Sequence, residues 1–168
     1  TDWLKHIPDA VPNARLAIVG DGPERPSLER AMRNLPVVFT GYLRGLSLAQ
    51  AYASADLFIF PSANETFGNV LLEAMASGLP VVTAASGGPL DIVKEGETGL
   101  LFPPQSREMF IRSVRDLINN KSKRLVMSHS CRDWAETKSW NAVMDPLLED
   151  YEHVISSNQE QNDVLHTH

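Results

Sequence analysis

Five short apolar runs recur along the chain at a nearly constant interval, and that interval restricts the fold more than any other feature. The runs are Leu16-Ala17-Ile18-Val19, Pro36-Val37-Val38-Phe39, Leu57-Phe58-Ile59-Phe60, Pro80-Val81-Val82-Thr83 and Leu100-Leu101-Phe102. Each is strand-length and continuously rather than alternately apolar, which predicts strands covered on both faces. The stretches between them are helix-length. Pro23 through Arg33 carries Leu28, Ala31 and Met32 on one side, and Leu46 through Ser54 follows the same plan. Phe67 through Ser77 does so too, stopped by Gly78 and Pro80. A strand-helix unit of about twenty residues predicts an α/β fold. The expected architecture is a Rossmann-like parallel sheet of about five strands flanked by helices.

Past Pro103-Pro104 the strand pattern stops and helical periodicity takes over. Met109, Phe110, Val114, Leu117 and Ile118 share a stripe, and a second helix is expected around Leu125 to Trp134. A third stripe runs through Trp140, Val143, Met144, Leu147, Leu148, Tyr151, Val154 and Ile155. Pro146 interrupts it and should kink or restart the helix, with Asp145 as N-cap. The expected organisation is one domain over residues 1–156 and a disordered tail over 157–168, where the chain turns polar. Thr1-Asp2-Trp3-Leu4-Lys5 has no initiator Met and reads like the middle of a helix. We therefore expect a domain truncated at its N-terminus.

Composition excludes several classes. With 43% hydrophobic and 21% charged residues the chain is globular in character. Its net charge of −6, without a basic stripe, argues against nucleic acid as a partner. A single cysteine, Cys131, excludes an internal disulfide and offers no metal-ligand spacing; on a helical apolar stripe it is read as a core residue. His6, His129, His153, His166 and His168 are dispersed, with no spacing of a metal site or catalytic pair. Gly20-Asp21-Gly22 is too short for a dinucleotide fingerprint, which disfavours an oxidoreductase; a tight strand-to-helix turn and a ligand contact both remain open there.

The stretch from Phe58 to Val82 holds the residues best suited to chemistry. Its strand ends at Pro61-Ser62, a polar loop follows, and a helix is expected to start near Phe67 or Gly68. In a parallel sheet the loops after strand C-termini line the ligand crevice. A helix N-terminus there presents backbone N–H groups and the positive end of the helix dipole, a combination suited to phosphate. Gly68 lets a ligand approach without a Cβ in the way, and Glu65 can accept hydrogen bonds from sugar hydroxyls. Glu73 stands on a helix otherwise made of Val70, Leu71, Leu72, Ala74, Met75 and Ala76. A lone buried carboxylate costs several kcal/mol, roughly, so it must meet water, a partner or a ligand. Two readings stay open: Glu73 lies on the solvated stripe of a buried helix, or it holds the paired hydroxyls of a ribose.

Glu65 and Glu73, seven residues apart, stand within Phe60-Pro61-Ser62-Ala63-Asn64-Glu65-Thr66-Phe67-Gly68-Asn69-Val70-Leu71-Leu72-Glu73-Ala74-Met75. This segment resembles the E-x7-E signature of the retaining GT-B glycosyltransferases, the family of sucrose-phosphate synthases, phosphatidylinositol mannosyltransferases and plant sulfolipid synthase. Val19-Gly20-Asp21-Gly22-Pro23, Phe39-Thr40-Gly41-Tyr42-Leu43, Ala51-Tyr52-Ala53-Ser54-Ala55-Asp56 and Gly96-Glu97-Thr98-Gly99-Leu100-Leu101-Phe102 follow that family's order and spacing. The resemblance covers about residues 14 to 105.

The resemblance implies the C-terminal, donor-binding half of a GT-B fold, whose parent transfers a hexosyl group from a nucleoside-diphosphate sugar to an alcohol with retention. Glu65 would hold hydroxyls of the transferred sugar as the catalytic-site carboxylate. The amides of Phe67, Gly68, Asn69 and Val70 would hold the diphosphate, and Glu73 the ribose. The loop at Gly41, Tyr42 and Leu43 would contact the base, with Gly20 beside it and Gly87 and Gly88 in the donor loop. The donor would be UDP- or GDP-linked, and neither a metal ion nor another cofactor is expected. Partners implied are the sugar nucleotide and an N-terminal domain of the same protein, with a glycolipid acceptor and peripheral membrane association through the parent. Two departures stand out. The family's diphosphate-gripping Arg and Lys belong to a strand and helix upstream of Thr1, and Gly87-Gly88-Pro89-Leu90-Asp91 has its proline one place early and Asp where Glu is common. The competing reading is a non-catalytic nucleotide-binding or interaction module of the same fold.

Overall fold

The computed structural model describes residues 2–12, 14–62 and 68–138. A 3-10 helix, Asp2–His6, leads into α1 (Ile7–Ala10). Alternating strands and helices follow: β1 (Leu16–Val19), α2 (Arg25–Ala31), β2 (Val37–Gly41), α3 (Gly45–Ala53), β3 (Phe58–Phe60) and α4 (Asn69–Ala76). Then come β4 (Val81–Ala84), α5 (Pro89–Ile92), β5 (Gly99–Phe102), α6 (Arg107–Asn119) and α7 (Lys121–Glu136). All five apolar runs are strands, displaced by no more than a residue or two from their expected bounds. Gly87 to Asp91, read as a loop, runs into the short helix α5, which starts at Pro89. The stripe from Trp140 to Ile155, with Asp145 and Pro146, lies outside the described residues, as does the tail 157–168.

Every strand pairing is parallel, and the strands form two ladders: β1 with β2, and β3-β4-β5 with β4 central. In the three-stranded ladder alternate residues enter two different cores. Ile59, Val82, Ala84, Leu100 and Phe102 face Leu4, Ile7, Phe110, Val114, Leu117 and Met127. Phe58, Phe60, Val81 and Leu101 face Leu71, Ala74, Met75 and Cys131, with Tyr52, Ile92 and Trp134 at the margin. Both faces are thus covered, and β4 is buried along its whole length, as continuous apolarity predicts.

β1 and β2 depart from that expectation. Leu16, Ile18, Val37 and Phe39 pack into the first core, but burial alternates along both strands. Val19 is 43% and Val38 62% exposed. No described helix covers this outer face: neither α2 nor α3 has a fully buried residue. Apolar side chains on one face of a strand do not report whether anything lies above it.

α4 is defined at both ends by backbone chemistry. Leu71, Ala74 and Met75 fall at three- and four-residue spacing and are fully buried. At its C-terminus Gly78 N–H donates to Met75 O at 2.7 Å and Leu79 N–H to Ala74 O at 3.0 Å. This is a Schellman motif, which needs a left-handed residue, and Gly78 has φ +77°. α6 and α7 start on side-chain caps: Ser106 Oγ accepts from Met109 N–H and Asn120 Oδ1 from Lys123 N–H. The first core is reinforced by Phe110, set edge-on to Phe102 at 5.1 Å between ring centroids.

Candidate functional site

The sequence-predicted residues within the described region gather where parallel strands end and helices begin. One group follows β1 and β2. Gly20 N–H donates to Gly41 O at 2.8 Å, and Tyr42 Oη–H reaches back to Asp21 O at 3.1 Å. Tyr42 is 73% exposed and Leu43 is half-buried. The turn between β1 and α2 spans Gly22 to Arg25 rather than Gly20 to Gly22: Arg25 N–H donates to Gly22 O at 3.0 Å, while Asp21 Oδ1 accepts from Gly22 N–H at 2.8 Å. Arg25, which sequence reasoning did not single out, lies beside Gly41. Its guanidinium is engaged by Asp21 at 3.1 Å and Glu29 at 2.7 Å.

The second group follows β3 and β4. Gly68 is the N-cap of α4, in the left-handed conformation at φ +66° and ψ 20°. A Cβ there would collide with the end of the Ile92 side chain, so backbone conformation and packing both favour glycine. Leu71 N–H donates to Gly68 O at 2.8 Å. The amides of Asn69 and Val70 precede that bond, at the end where a helix supplies no internal acceptor. Gly87 and Gly88 lead into α5 from the C-terminal end of β4. Glu65 and Phe67 lie outside the described residues.

Glu73 lies on the exposed stripe of α4 with Asn69 and Ala76, opposite buried Leu71, Ala74 and Met75. It has a protein partner that local periodicity did not reveal: Tyr52 Oη–H donates to Glu73 Oε2 at 3.1 Å. Partial burial, together with the nearby Glu73 charge, pushes the Tyr52 phenol up to about 12. The phenol therefore stays a donor. α3 links the two groups, starting at Gly45, two residues past Leu43, and delivering Tyr52 to α4. The available sequence signal was a lone phenol in the motif Ala51-Tyr52-Ala53, on a helix otherwise built of small, aliphatic and uncharged polar residues.

Other candidates resolve simply. Cys131 is fully buried, donates to Thr98 O at 3.1 Å and has its thiol pushed up to about 12 by burial. It is a core residue, as expected. His129 is exposed on α7, and His6 Nε2 lies 3.4 Å from an Arg107 nitrogen. His153, His166 and His168 are outside the described residues. Among the described residues no three His, Cys, Asp or Glu side chains cluster as a metal site requires, and no helix is long and apolar enough to cross a membrane.

Known proteins resemble this chain in sequence and in fold. The chain is 45% identical over 145 residues to the protein named sulfoquinovosyl transferase SQD2 of Arabidopsis thaliana, a match covering 84% of this chain and 28% of that one. It is 37% identical over 145 residues to a GDP-mannose-dependent alpha-mannosyltransferase of Corynebacterium glutamicum, covering 86% of this chain and 35% of that one. The chain thus spans about a third of the length of these relatives. Among solved structures, sucrose-phosphate synthase from Thermosynechococcus elongatus superposes with a TM-score of 0.81 at 27% identity, over 93% of this chain and 42% of that one. Anabaena HepE in complex with UDP-glucose superposes with a TM-score of 0.74 at 25% identity, over 93% and 43%. The sequence over residues 2–120 matches the glycosyl transferases group 1, and the chain belongs to that family.

Proposed function

We propose that this chain is the donor-binding part of a retaining hexosyltransferase that takes a UDP- or GDP-linked sugar and transfers it to an alcohol acceptor, a glycolipid among the candidates. The observation that carries the reading is α4. One helix, starting at left-handed Gly68 past the C-terminal end of β3, bears an exposed carboxylate at Glu73 one turn in. That is the layout a nucleoside diphosphate requires: amides for phosphate, then a bidentate acceptor for ribose hydroxyls. In this reading the amides of Phe67, Gly68, Asn69 and Val70 hold the diphosphate and Glu73 the ribose. Glu65 holds the transferred sugar, and Tyr42, Leu43 and Gly20 border the base. Gly87 and Gly88 close the donor side, and α4's amides stabilise the leaving diphosphate in place of a metal ion. Names of the similar proteins support both donor types: one is GDP-mannose-dependent, and another was solved with UDP-glucose.

The acceptor site and remaining catalytic groups belong, in this reading, to a further domain of a longer protein. The relatives' greater length supports it.

Titrating uridine and guanosine diphosphate into the chain and its Glu73→Ala variant tests the reading. Affinity for the cognate nucleotide is expected to fall by about 1.5–3 kcal/mol, the range for hydrogen bonds to a charged group. Unchanged titration curves would favour a non-catalytic module of the same fold.

A further inference from the structure

Glu73 is exposed, and an exposed glutamate samples many rotamers. Fixing a long side chain of that kind on binding costs rotamer entropy. Here one carboxylate oxygen is already held. Tyr52 Oη–H donates to Glu73 Oε2 at 3.1 Å, bridging from the last turn of α3 to the second turn of α4.

Tyr52 is anchored in turn. Its ring stands edge-on to Phe58 at 5.8 Å, and Phe58 stacks on Phe60 at 6.2 Å with an interplanar angle of 13°. The phenol is therefore referenced to β3, the strand that leads into the α4 loop. Its ionisation, raised to about 12, keeps the proton in place for donation. Each carboxylate oxygen accepts about two hydrogen bonds, so among the described residues one acceptor direction on Oε2 and both on Oε1 are left for a ligand.

We propose that Tyr52 is a positioning residue: its hydroxyl holds the Glu73 carboxylate in the orientation that accepts the vicinal hydroxyls of a nucleotide ribose. The inference rests on the assignment of Glu73 to the ribose. Tyr52 touches no ligand itself. It acts through Glu73, by removing rotamer freedom before binding and by setting which lone pairs point outward.

The experiment compares the unaltered chain with Tyr52→Phe and Glu73→Gln by titration with uridine and guanosine diphosphate, and with the 2′,3′-dideoxy form of whichever binds. Tyr52→Phe keeps the ring against Phe58, and a thermal melt of each variant checks the fold. Tyr52→Phe is expected to weaken the ribonucleotide about three- to tenfold, as for one net hydrogen bond. The dideoxy form, having no diol to receive, should bind both proteins equally. Equal losses for the two ligands would overturn the proposal, because Tyr52 would then be supporting the site as packing. Retained affinity in Tyr52→Phe with a loss in Glu73→Gln would overturn it while leaving the ribose assignment intact. No loss in either variant would overturn the assignment and the proposal together.

Discussion

Trp134 Nε1–H donates to the main-chain carbonyl of Ile92 at 2.7 Å, fastening α7 to the end of α5. Ile92 is the residue whose side chain lies against Gly68. The start of α4 is thus backed by α5, and α5 by α7, so a helix remote in sequence fixes the geometry of the candidate phosphate-binding turn. Replacing Trp134 with Phe keeps most of the apolar area but strands the Ile92 carbonyl. The expected loss is about 0.5–1.5 kcal/mol of stability, the net value of such a bond, measured by urea unfolding. No change in midpoint would show that water replaces the indole donor.

Gly68 combines two penalties for any other residue. A left-handed backbone costs a residue with a Cβ about 1–2 kcal/mol, and the new atom would displace the Ile92 side chain. Gly68→Ala should therefore destabilise by about 2 kcal/mol or more and weaken nucleotide binding. In an Ile92→Val background the steric part is relieved while the backbone part persists, so the two substitutions should couple by about 0.5–1 kcal/mol in a double-mutant cycle. Strict additivity would place the entire penalty in the backbone.

The Cys131 thiol gives a pH signature. Burial raises it from the ordinary 9.0 to about 12. Between those values the unfolded chain has released the proton while the folded chain retains it, so rising pH favours unfolding. The thiol's contribution is complete below pH 9 and lost as pH climbs through about 12. Tyr52, raised from 10.0 to about 12, pushes in the same direction. The stability gap between the unaltered chain and Cys131→Ala should narrow across that window in pH-resolved urea unfolding. A constant gap would mean the thiol ionises equally well in both states.

How much of this was legible follows from which interactions are local. Strand positions were readable because each run is bounded by Gly, Pro or charge, as at Gly78-Leu79-Pro80 ahead of β4 and Pro61 after β3. Of the stripe read from helical spacing, Phe110, Val114 and Leu117 are core residues, whereas Met109 is 38% exposed. The open outer face of β1 and β2 was not readable, because Val19 and Val38 are as apolar as Val81 and Val82. What separates them is the presence of a covering helix. The site divides likewise. Gly68 and Glu73 stood out by type, whereas the Tyr52–Glu73 bond joins residues 21 apart on two helices, and nothing in local periodicity encodes it.

The one-sided burial of β1 and β2 bears on how binding energy would be distributed. Two strands with solvent on one face open at lower free energy than a ladder sandwiched between helices. Their backbone amides should exchange with deuterium well before those of β4. Gly20, Tyr42 and Leu43 are mounted on this softer half, while Gly68 and Glu73 stand on α4 against the rigid one. In the proposed reading, a nucleotide bridging them would meet Gly68 and Glu73 on a helix already held against a buried core. At the base end it would have to quieten local breathing first, so affinity there grows with whatever else steadies those two strands.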